Sequence, residues 1–395
     1  MRSRHGFLIA LLALLPGLAV ADSGGFLARH WQRPLAPQGE APARFSPQEA
    51  TLDPAACGSC HAVQFDDWRT SYHARAMGPG VLGQLLAMAP EADHEHQSCL
   101  RCHAPLAEQA SSLVAAIRKQ PGGRGHEQGL TCAGCHVRGH VRYGPPRRDG
   151  SVAPVGAGLP HDGWRATSAF ADSRFCAACH QFEEDGYALN GKLLENTYAE
   201  WRASPAAREG RSCQSCHMPD RRHLWRGIHD PQMTAAGVTI QAEPAQARAG
   251  RLGGRLRVVN TGTGHAFPTY VTPRVTMEAF QVDARARPLA GTLRSQRIAR
   301  EVSPDLAAEL SDTRLLPGAE AVLGYDAPLR REAVALVYRV RVEPDAFYAD
   351  FYRGVLSGNG LPADPGMMRQ ALADAEASEY VLFEWREALP ANARR

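Results

Sequence analysis

The sequence predicts a multidomain α+β protein, in which a mainly helical N-terminal domain is followed by a C-terminal domain of the β-sandwich type. Two observations support this. All ten cysteines of the 395-residue chain lie between residues 57 and 216. After about residue 240, the apolar residues change from helical spacing to alternation, with Pro and Gly turns between the segments. We therefore place the helical domain at 51–240 and the β-domain at 241–395.

The first 21 residues have the pattern of a secretory signal peptide. Arg2 and Arg4 precede an apolar block that runs from Phe7 to Val20 and closes on small residues. The block is shorter than the ~20 apolar residues that a membrane span requires. We expect a cleaved signal peptide, a mature chain that begins at Asp22, and a periplasmic or secreted location. Residues 22–50 contain four prolines, which favours an extended N-terminal arm.

The cysteines form five copies of one motif, and none is left over. The copies are CGSCH (57–61), CLRCH (99–103), CAGCH (132–136), CAACH (176–180) and CQSCH (213–217). Ten cysteines in an exported protein ordinarily suggest disulfides, and zinc ribbons also use CxxC pairs. Neither alternative needs a histidine directly after every second cysteine. CxxCH is the attachment motif of c-type haem, in which two thiolates add to the porphyrin vinyl groups and the histidine binds the iron.

The sequence thus predicts five covalently bound haem c groups. The segments between the motifs are too short to build separate cores, so the haems are expected to lie close together. The predicted covalent attachment residues are Cys57, Cys60, Cys99, Cys102, Cys132, Cys135, Cys176, Cys179, Cys213 and Cys216, and the predicted proximal ligands are His61, His103, His136, His180 and His217.

Ten further histidines outside the signal peptide are available as second, distal ligands. If a helix runs from His61 to His73, these imidazoles are about 18 Å apart along its axis, so we expect His73 to serve a different haem. His140 follows His136 too closely to reach the opposite porphyrin face and should also serve a neighbour. We add His161 and His229, which flank the fourth and fifth motifs, with His223 in reserve. A surface histidine is the alternative at each position.

Three segments resemble the multihaem cytochrome c family that includes cytochrome c-554. They are CGSCH with WRTSYHARAM six residues later, GLTCAGCHVRGH (129–140), and TYAEWRASPAAREGRSCQSCHMP (197–219). The resemblance implies stacked haems in a mainly helical domain, bis-histidine ligation at most irons, periplasmic electron transfer, and a distal-ligand role for His73. The CxxCK site of pentahaem nitrite reductases is absent from the sequence, which argues against nitrite reduction.

The cysteine-free half contains one conspicuous histidine, in TGTGHAFPTY (261–270). Gly262 and Gly264 allow the backbone a close approach, and Phe267 and Pro268 offer a flat apolar surface suited to a porphyrin face. Related multihaem proteins carry a similar Gly-His-x-Phe-Pro-Thr segment. We therefore expect His265 to be a distal ligand that clamps the two domains together. The alternative is a turn histidine bonded to its own backbone. Strands are predicted at 254–260, 274–282, 333–342 and 379–389, and a helix at 367–377.

The leading functional hypothesis is an electron-transfer protein, because two imidazoles leave an iron no position for chemistry. The second is an oxidoreductase that acts on a small nitrogen or sulfur oxyanion at one five-coordinate haem beside an arginine-rich pocket. The third is a polymerising extracellular cytochrome. Haem propionates make the holoprotein acidic, so we expect redox partners with basic docking faces, such as a membrane quinol dehydrogenase or an outer-membrane cytochrome. Self-association belongs to the third hypothesis. The near-neutral charge of +3 does not indicate a nucleic-acid partner.

Overall fold

The computed structural model describes residues 23–358 and 363–389. The predicted signal peptide and its cleavage site lie outside these residues. Within them, no helix has both the length and the apolar character needed to cross a membrane.

The part of the chain that carries the CxxCH motifs consists of short helices joined by turns. Proline at the first position starts several of them, where its missing N–H costs nothing. The helices are α1 (Ser23–His30), α2 (Pro47–Ala50), α3 (Pro54–Gly58), α4 (Ala62–Trp68), α5 (Pro79–Leu85), α6 (Asp93–His103), α7 (Ala107–Ile117), α8 (Cys132–His136), α9 (Arg174–His180), α10 (Thr197–Arg202), α11 (Pro205–Arg208), α12 (Cys213–His217) and α13 (Pro231–Gly237).

Short strands and 3₁₀ turns connect these helices. The antiparallel pair β1 (Val137–Arg138) and β2 (Val141–Gly144) is extended by the parallel strand β3 (Arg165–Ala166). A small hairpin joins β4 (Ala188–Leu189) to β5 (Lys192–Leu193). The 3₁₀ turns are Gly125–Glu127, Pro160–Asp162, Ser168–Ala171 and Pro219–Arg221.

Two local features differ from the sequence-based expectation. Helix α4 ends at Trp68 instead of continuing to His73, because the Ser71 hydroxyl donates to the Trp68 carbonyl at 2.7 Å and the Trp68 indole N–H donates to the Leu130 carbonyl at 2.8 Å. The N-terminal segment is not extended throughout. It begins with α1, whose His30 is buried with its Nε2 2.8 Å from the Cys135 carbonyl oxygen.

The C-terminal part contains two antiparallel sheets. The strands are β6 (Val238–Arg248), β7 (Arg251–Asn260), β8 (Arg274–Val282), β9 (Arg294–Val302), β10 (Glu309–Asp312), β11 (Glu320–Pro328), β12 (Ala335–Glu343) and β13 (Tyr380–Ala388). Five strands form one sheet in the order β10-β9-β8-β12-β13, and three form the other in the order β11-β7-β6. Apolar side chains from both sheets share one core, which includes Leu256, Met277 and Leu336.

Sequence patterns found half of these strands. The four predicted segments correspond to β7, β8, β12 and β13, whereas β6, β9, β10 and β11 were missed. Strand β9 reads RSQRIAREV, and its polar residues hide the alternation. The predicted helix corresponds to α15 (Pro365–Ala377), which packs on a helix that was not predicted, α14 (Ala346–Leu356).

The two parts of the chain are joined by buried polar contacts. Arg300 in β9 is 1% exposed. Its guanidinium pairs with Glu309 at 2.8 Å and donates to the carbonyls of Leu189, Lys192 and Leu193 in the β4–β5 hairpin. A buried cation with an acceptor at each of its three nitrogens fixes the sheet against the helical part.

Candidate haem centres

The CxxCH motifs lie in or next to helices: two end α6 and α9, two form α8 and α12, and the first bridges α3 and α4. In α8, the Thr131 hydroxyl accepts from the Gly134 N–H at 3.3 Å, and in α12 Ser212 caps Ser215 in the same way. Both caps start the helix one residue before the first cysteine, which presents the two thiols one turn apart. All ten cysteines are free thiols. The disulfide alternative therefore finds no support in the geometry.

Thiols from different motifs lie against one another. Cys57 lies beside Cys132, Cys102 beside Cys179, and Cys176 beside Cys213. Groups attached at these cysteines would be neighbours, with the first motif beside the third and the fourth beside both the second and the fifth. These contacts gather the five motifs into two groups, the first with the third, and the second and the fifth with the fourth, although the motifs are spread over residues 57–217.

Four of the five motif histidines face a second imidazole. An imidazole nitrogen binds a metal at about 2.0 Å and lies about 1.1 Å from its ring centre, so two imidazoles on opposite sides of one iron have centres about 6.2 Å apart. The observed ring-centre separations are 6.4 Å for His61 and His161, 6.4 Å for His180 and His73, 6.1 Å for His136 and His223, and 6.4 Å for His217 and His265. These spacings fit bis-histidine haem.

Backbone carbonyls orient most of these rings. The Nδ1 atoms of His161, His223 and His265 lie within 3.0 Å of the carbonyl oxygens of Gly163, Arg221 and Ala266, and those of His136 and His217 lie 2.7 Å from the carbonyls of Tyr143 and Arg226. A carbonyl on Nδ1 keeps the proton there and leaves Nε2 as the metal-binding atom, which is the usual arrangement of ligating histidines.

Burial favours the neutral form of most of the paired imidazoles. It lowers the pKa of His136 to about 4 and that of His73 to about 3. Burial also lowers the pKa values of His61, His180, His217, His223 and His265. The neutral ring is the form that binds a metal, so the interior favours ligation at ordinary pH.

His73 is held by the segment that precedes the third motif. Its carbonyl accepts from the Leu130 N–H at 2.9 Å, and its ring lies 4.6 Å from that of Trp225. Gly129 makes this approach possible, because it has φ +66 and a side chain there would collide with the His73 carbonyl. Three separate segments of the chain therefore position one imidazole opposite His180.

His265 is held by both parts of the chain. Asn260 donates to its carbonyl at 2.9 Å, and the next residue, Ala266, donates its N–H to Glu200 of α10 at 3.1 Å. Gly264 faces Trp201 and Ala206 so closely that a Cβ would lie 3.1 Å and 3.0 Å from them. The glycines of this segment thus allow its backbone to lie close to α10, α11 and α13. The sequence-based expectation was that they allow a close approach to a porphyrin face.

Two of the predicted distal ligands are not placed opposite a motif histidine. His140 occupies the β1–β2 turn with φ +58, and its Nε2 is 2.9 Å from the Gly39 carbonyl oxygen. His229 stacks on Tyr72 at 3.9 Å, and its Nε2 is 2.8 Å from Asp345 Oδ2. In both residues, the nitrogen that would bind iron is Nε2, and it already lies at hydrogen-bond distance from a protein oxygen. His223, the reserve candidate, takes the place opposite His136.

His103 differs from the other four motif histidines. Its Nδ1 lies 2.6 Å from the Ala76 carbonyl oxygen, so it is oriented in the same manner. Among residues 23–358 and 363–389, however, no ring contact joins it to a second imidazole. The sequence contained no signal for this difference, because the motif CLRCH is complete.

Comparisons with known proteins agree with these features. Residues 56–137 match the family model described as cytochrome c554 and c-prime. A penta-haem cytochrome c552 from Thermochromatium tepidum has a similar fold, with a TM-score of 0.59 and 17% identity over 87% of this chain and all of the other. A β-glucosidase from Paenibacillus barengoltzii, with 16% identity over 28% of this chain and 12% of its own, has a TM-score of 0.16, too low to bear on the fold. A search of curated proteins gave no match. Residues 56–137 thus resemble the cytochrome c554 family, and the chain as a whole shares the fold of a penta-haem cytochrome, which agrees with its CxxCH motifs and paired imidazoles.

Proposed function

We propose that the protein is a periplasmic pentahaem cytochrome that transfers electrons through an array of mostly bis-histidine haems. The observation that carries the proposal is the set of four imidazole pairs at 6.1–6.4 Å. Haem c supplies the redox-active iron. At four of the motifs the chain would hold the haem iron by two imidazoles, which would leave those irons no position for a substrate.

The ligand set proposed for these haems is the four pairs named above, with His223 in place of His140. In three of them the second imidazole comes from a distant part of the chain. His161 follows the third motif and faces the first, His73 precedes the second and faces the fourth, and His223 follows the fifth and faces the third. This interlocking supports a single array of closely packed haems, because no motif can be displaced without disturbing another.

The spin state of each iron tests this proposal. Electron paramagnetic resonance of the oxidised protein is expected to show four low-spin bis-imidazole irons, and intact mass to show five haems on a chain that begins at Asp22. Reduction is expected over a broad range of low potentials, because paired imidazoles stabilise ferric iron and neighbouring haems repel each other's electrons. One sharp wave at high potential would contradict the array.

A second function is favoured by His103. We propose that the haem of the second motif, Cys99–His103, has an open axial position and binds a small molecule, which retains the oxidoreductase hypothesis at this haem alone. One high-spin ferric signal that disappears on addition of a strong-field ligand is the expected result. Five low-spin irons would remove this candidate and leave electron transfer.

The proposal about redox partners rests on the net charge of the holoprotein alone. The propionates of five haems make the holoprotein acidic, which favours a redox partner with a basic docking face. The expected signature is an association rate that falls steeply as salt is added.

A further inference from the structure

Trp225 contacts the proposed distal ligands of two different haems. Its indole ring centre lies 4.6 Å from that of the His73 imidazole, with the ring planes inclined by 63°, and 5.0 Å from that of the His223 imidazole, with the planes inclined by 87°. These separations and inclinations are typical of edge-to-face aromatic contacts. His73 faces the fourth motif and His223 faces the third. One side chain therefore packs against ligands at two centres.

The His73 ring is oriented by packing instead of by a hydrogen bond. Its Nδ1 is buried and has no hydrogen-bond partner among the described residues, whereas the Nδ1 of His223 lies 3.0 Å from the Arg221 carbonyl oxygen. A ligating imidazole ordinarily has its second nitrogen anchored, which fixes the orientation of the ring. For His73 the indole of Trp225 can supply this constraint, because it lies nearer to the ring than the His180 imidazole does.

The main chain that carries the indole is fixed by the fifth motif. The Trp225 N–H donates to the His217 carbonyl at 3.0 Å, and the Arg226 carbonyl oxygen lies 2.7 Å from His217 Nδ1. Trp225 adopts φ +42, a left-handed conformation that a bulky residue keeps only where its surroundings impose it. Residues 225 and 226 make both contacts with main-chain atoms, so the contacts remain when the indole is replaced.

A buried carboxylate joins the two segments that supply these ligands. Asp67 lies near the end of α4, shortly before His73 in the sequence, and is 5% exposed. Its carboxylate accepts from the Arg222 guanidinium at 2.6 and 2.7 Å and from the His223 N–H at 2.9 Å. Bidentate bonds from a guanidinium fix both distance and orientation. Segments 67–73 and 222–225 are therefore held side by side, so that both imidazoles reach the same indole.

The two ligands belong to different groups of motifs. Contacts place the first motif with the third, and the second and the fifth with the fourth. These contacts are Gln128 with Asp53 at 3.3 Å, the Cys179 thiol with the Arg101 carbonyl at 3.9 Å, and the Cys213 N–H with the Ser173 hydroxyl at 3.0 Å. Trp225 contacts the imidazole opposite the third motif and the imidazole opposite the fourth, so it lies where the two groups meet.

We propose that Trp225 is a positioning residue shared by the third and fourth haems, whose indole fixes the orientation of both distal imidazoles and so couples the two groups. This rests on the bis-histidine ligand set proposed above. The angle between two axial imidazole planes affects the g values and the potential of a low-spin iron. It is 46° for His73 and His180 and 33° for His136 and His223. Loss of the indole is expected to change both angles.

The test compares electron paramagnetic resonance spectra of the oxidised five-haem protein. Trp225→Leu is expected to shift the g values of two low-spin irons, the same two whose signals His73→Ala and His223→Ala remove one at a time. The larger shift is expected at the fourth haem, because the His73 ring has no hydrogen bond to hold it. Potentiometry is expected to show changed midpoint potentials at the same two irons. Trp225→Phe keeps a smaller ring and should give smaller shifts there.

Phe170→Leu is the matched control. Phe170 stacks on His136 at 4.9 Å with the planes inclined by 17°. Among the described residues, this is its one ring contact with the eight paired imidazoles. The change also removes an aromatic ring beside a haem ligand, but it should shift the signal of the third haem alone.

The outcomes separate this proposal from the proposed function. Fewer than four low-spin bis-imidazole irons in wild type would overturn the ligand set itself. Four such irons in wild type, with one or none shifted in Trp225→Leu, would retain the ligand set and overturn the shared role of Trp225. Shifts at all four irons would show a general loosening and would also overturn it. If Trp225→Leu does not assemble with five haems, Trp225→Phe is judged by the same criteria.

Discussion

The imidazole of His265, which follows β7, lies 6.4 Å from that of His217 in the last CxxCH motif, with the two rings inclined by 14°. The C-terminal part of the chain thus contributes directly to a proposed haem centre in the helical part. Its role extends beyond shielding the haems.

His265→Ala is expected to convert one low-spin iron to high spin and to open it to carbon monoxide after reduction, because the remaining imidazole cannot bind both axial positions. Magnetic circular dichroism measures the change. His94→Ala is the control, since His94 is exposed on α6. If the His265 variant keeps the wild-type low-spin signals, His265 is a structural turn residue.

His223→Ala and His140→Ala are expected to differ. His223 faces His136 at 6.1 Å, whereas the Nε2 of His140 is engaged with the Gly39 carbonyl. The first change should therefore yield one additional high-spin iron and the second none. A high-spin signal in the His140 variant with none in the His223 variant would reverse our assignment.

Asp67→Asn is expected to lower stability by about 1–3 kcal/mol, the cost of weakening bonds to a buried charged group. The Asp67 carboxylate accepts from Arg222 at 2.6 and 2.7 Å and from the His223 N–H at 2.9 Å. Denaturant unfolding measures the loss, and exposed Asp66→Asn is the control. Equal stability of the two variants would show that this contact contributes little.

The same contact predicts a pH dependence. The Arg222 guanidinium bonded to Asp67 holds the pKa of that carboxyl below its ordinary value. A depressed pKa contributes stability that is fully present above the unfolded value of about 3.9 and is lost as the pH falls through the folded value. The difference in unfolding free energy between wild type and Asp67→Asn should therefore shrink below about pH 4.

Arg300→Gln is expected to lower stability by about 1–3 kcal/mol, because it removes one of the two cations that pair with the buried Glu309 carboxylate, the other being Lys192. The carbonyls of Leu189 and Leu193 also lose their donor. Arg297→Gln, on the same strand but with a 59% exposed side chain, should change stability by less than about 1 kcal/mol. Similar unfolding midpoints for the two variants would refute a fixing role for Arg300.

Local sequence patterns predicted the features that depend on residues close together in the sequence. The CxxCH spacing indicated haem c, and the alternating segments identified β7, β8, β12 and β13. Strand β9 carries polar residues at the positions where alternation would show, whereas β11 alternates strictly and α14 is amphipathic, so these two were missed although their patterns are regular. His265 and His73 were singled out by their neighbours in sequence, and both lie opposite a motif histidine.

The sequence by itself determined the five attachment motifs, their proximal histidines and a supply of further imidazoles, because each of these is set by residues within one turn of helix. Only the tertiary structure decided which imidazoles meet. His223 faces His136 while the nearer His140 does not, and His103 has no imidazole opposite it within the described residues. The physical reason is that a distal position is set by how distant segments pack. Contacts such as Asp67 with Arg222, or Gly129 with His73, leave no trace in local spacing.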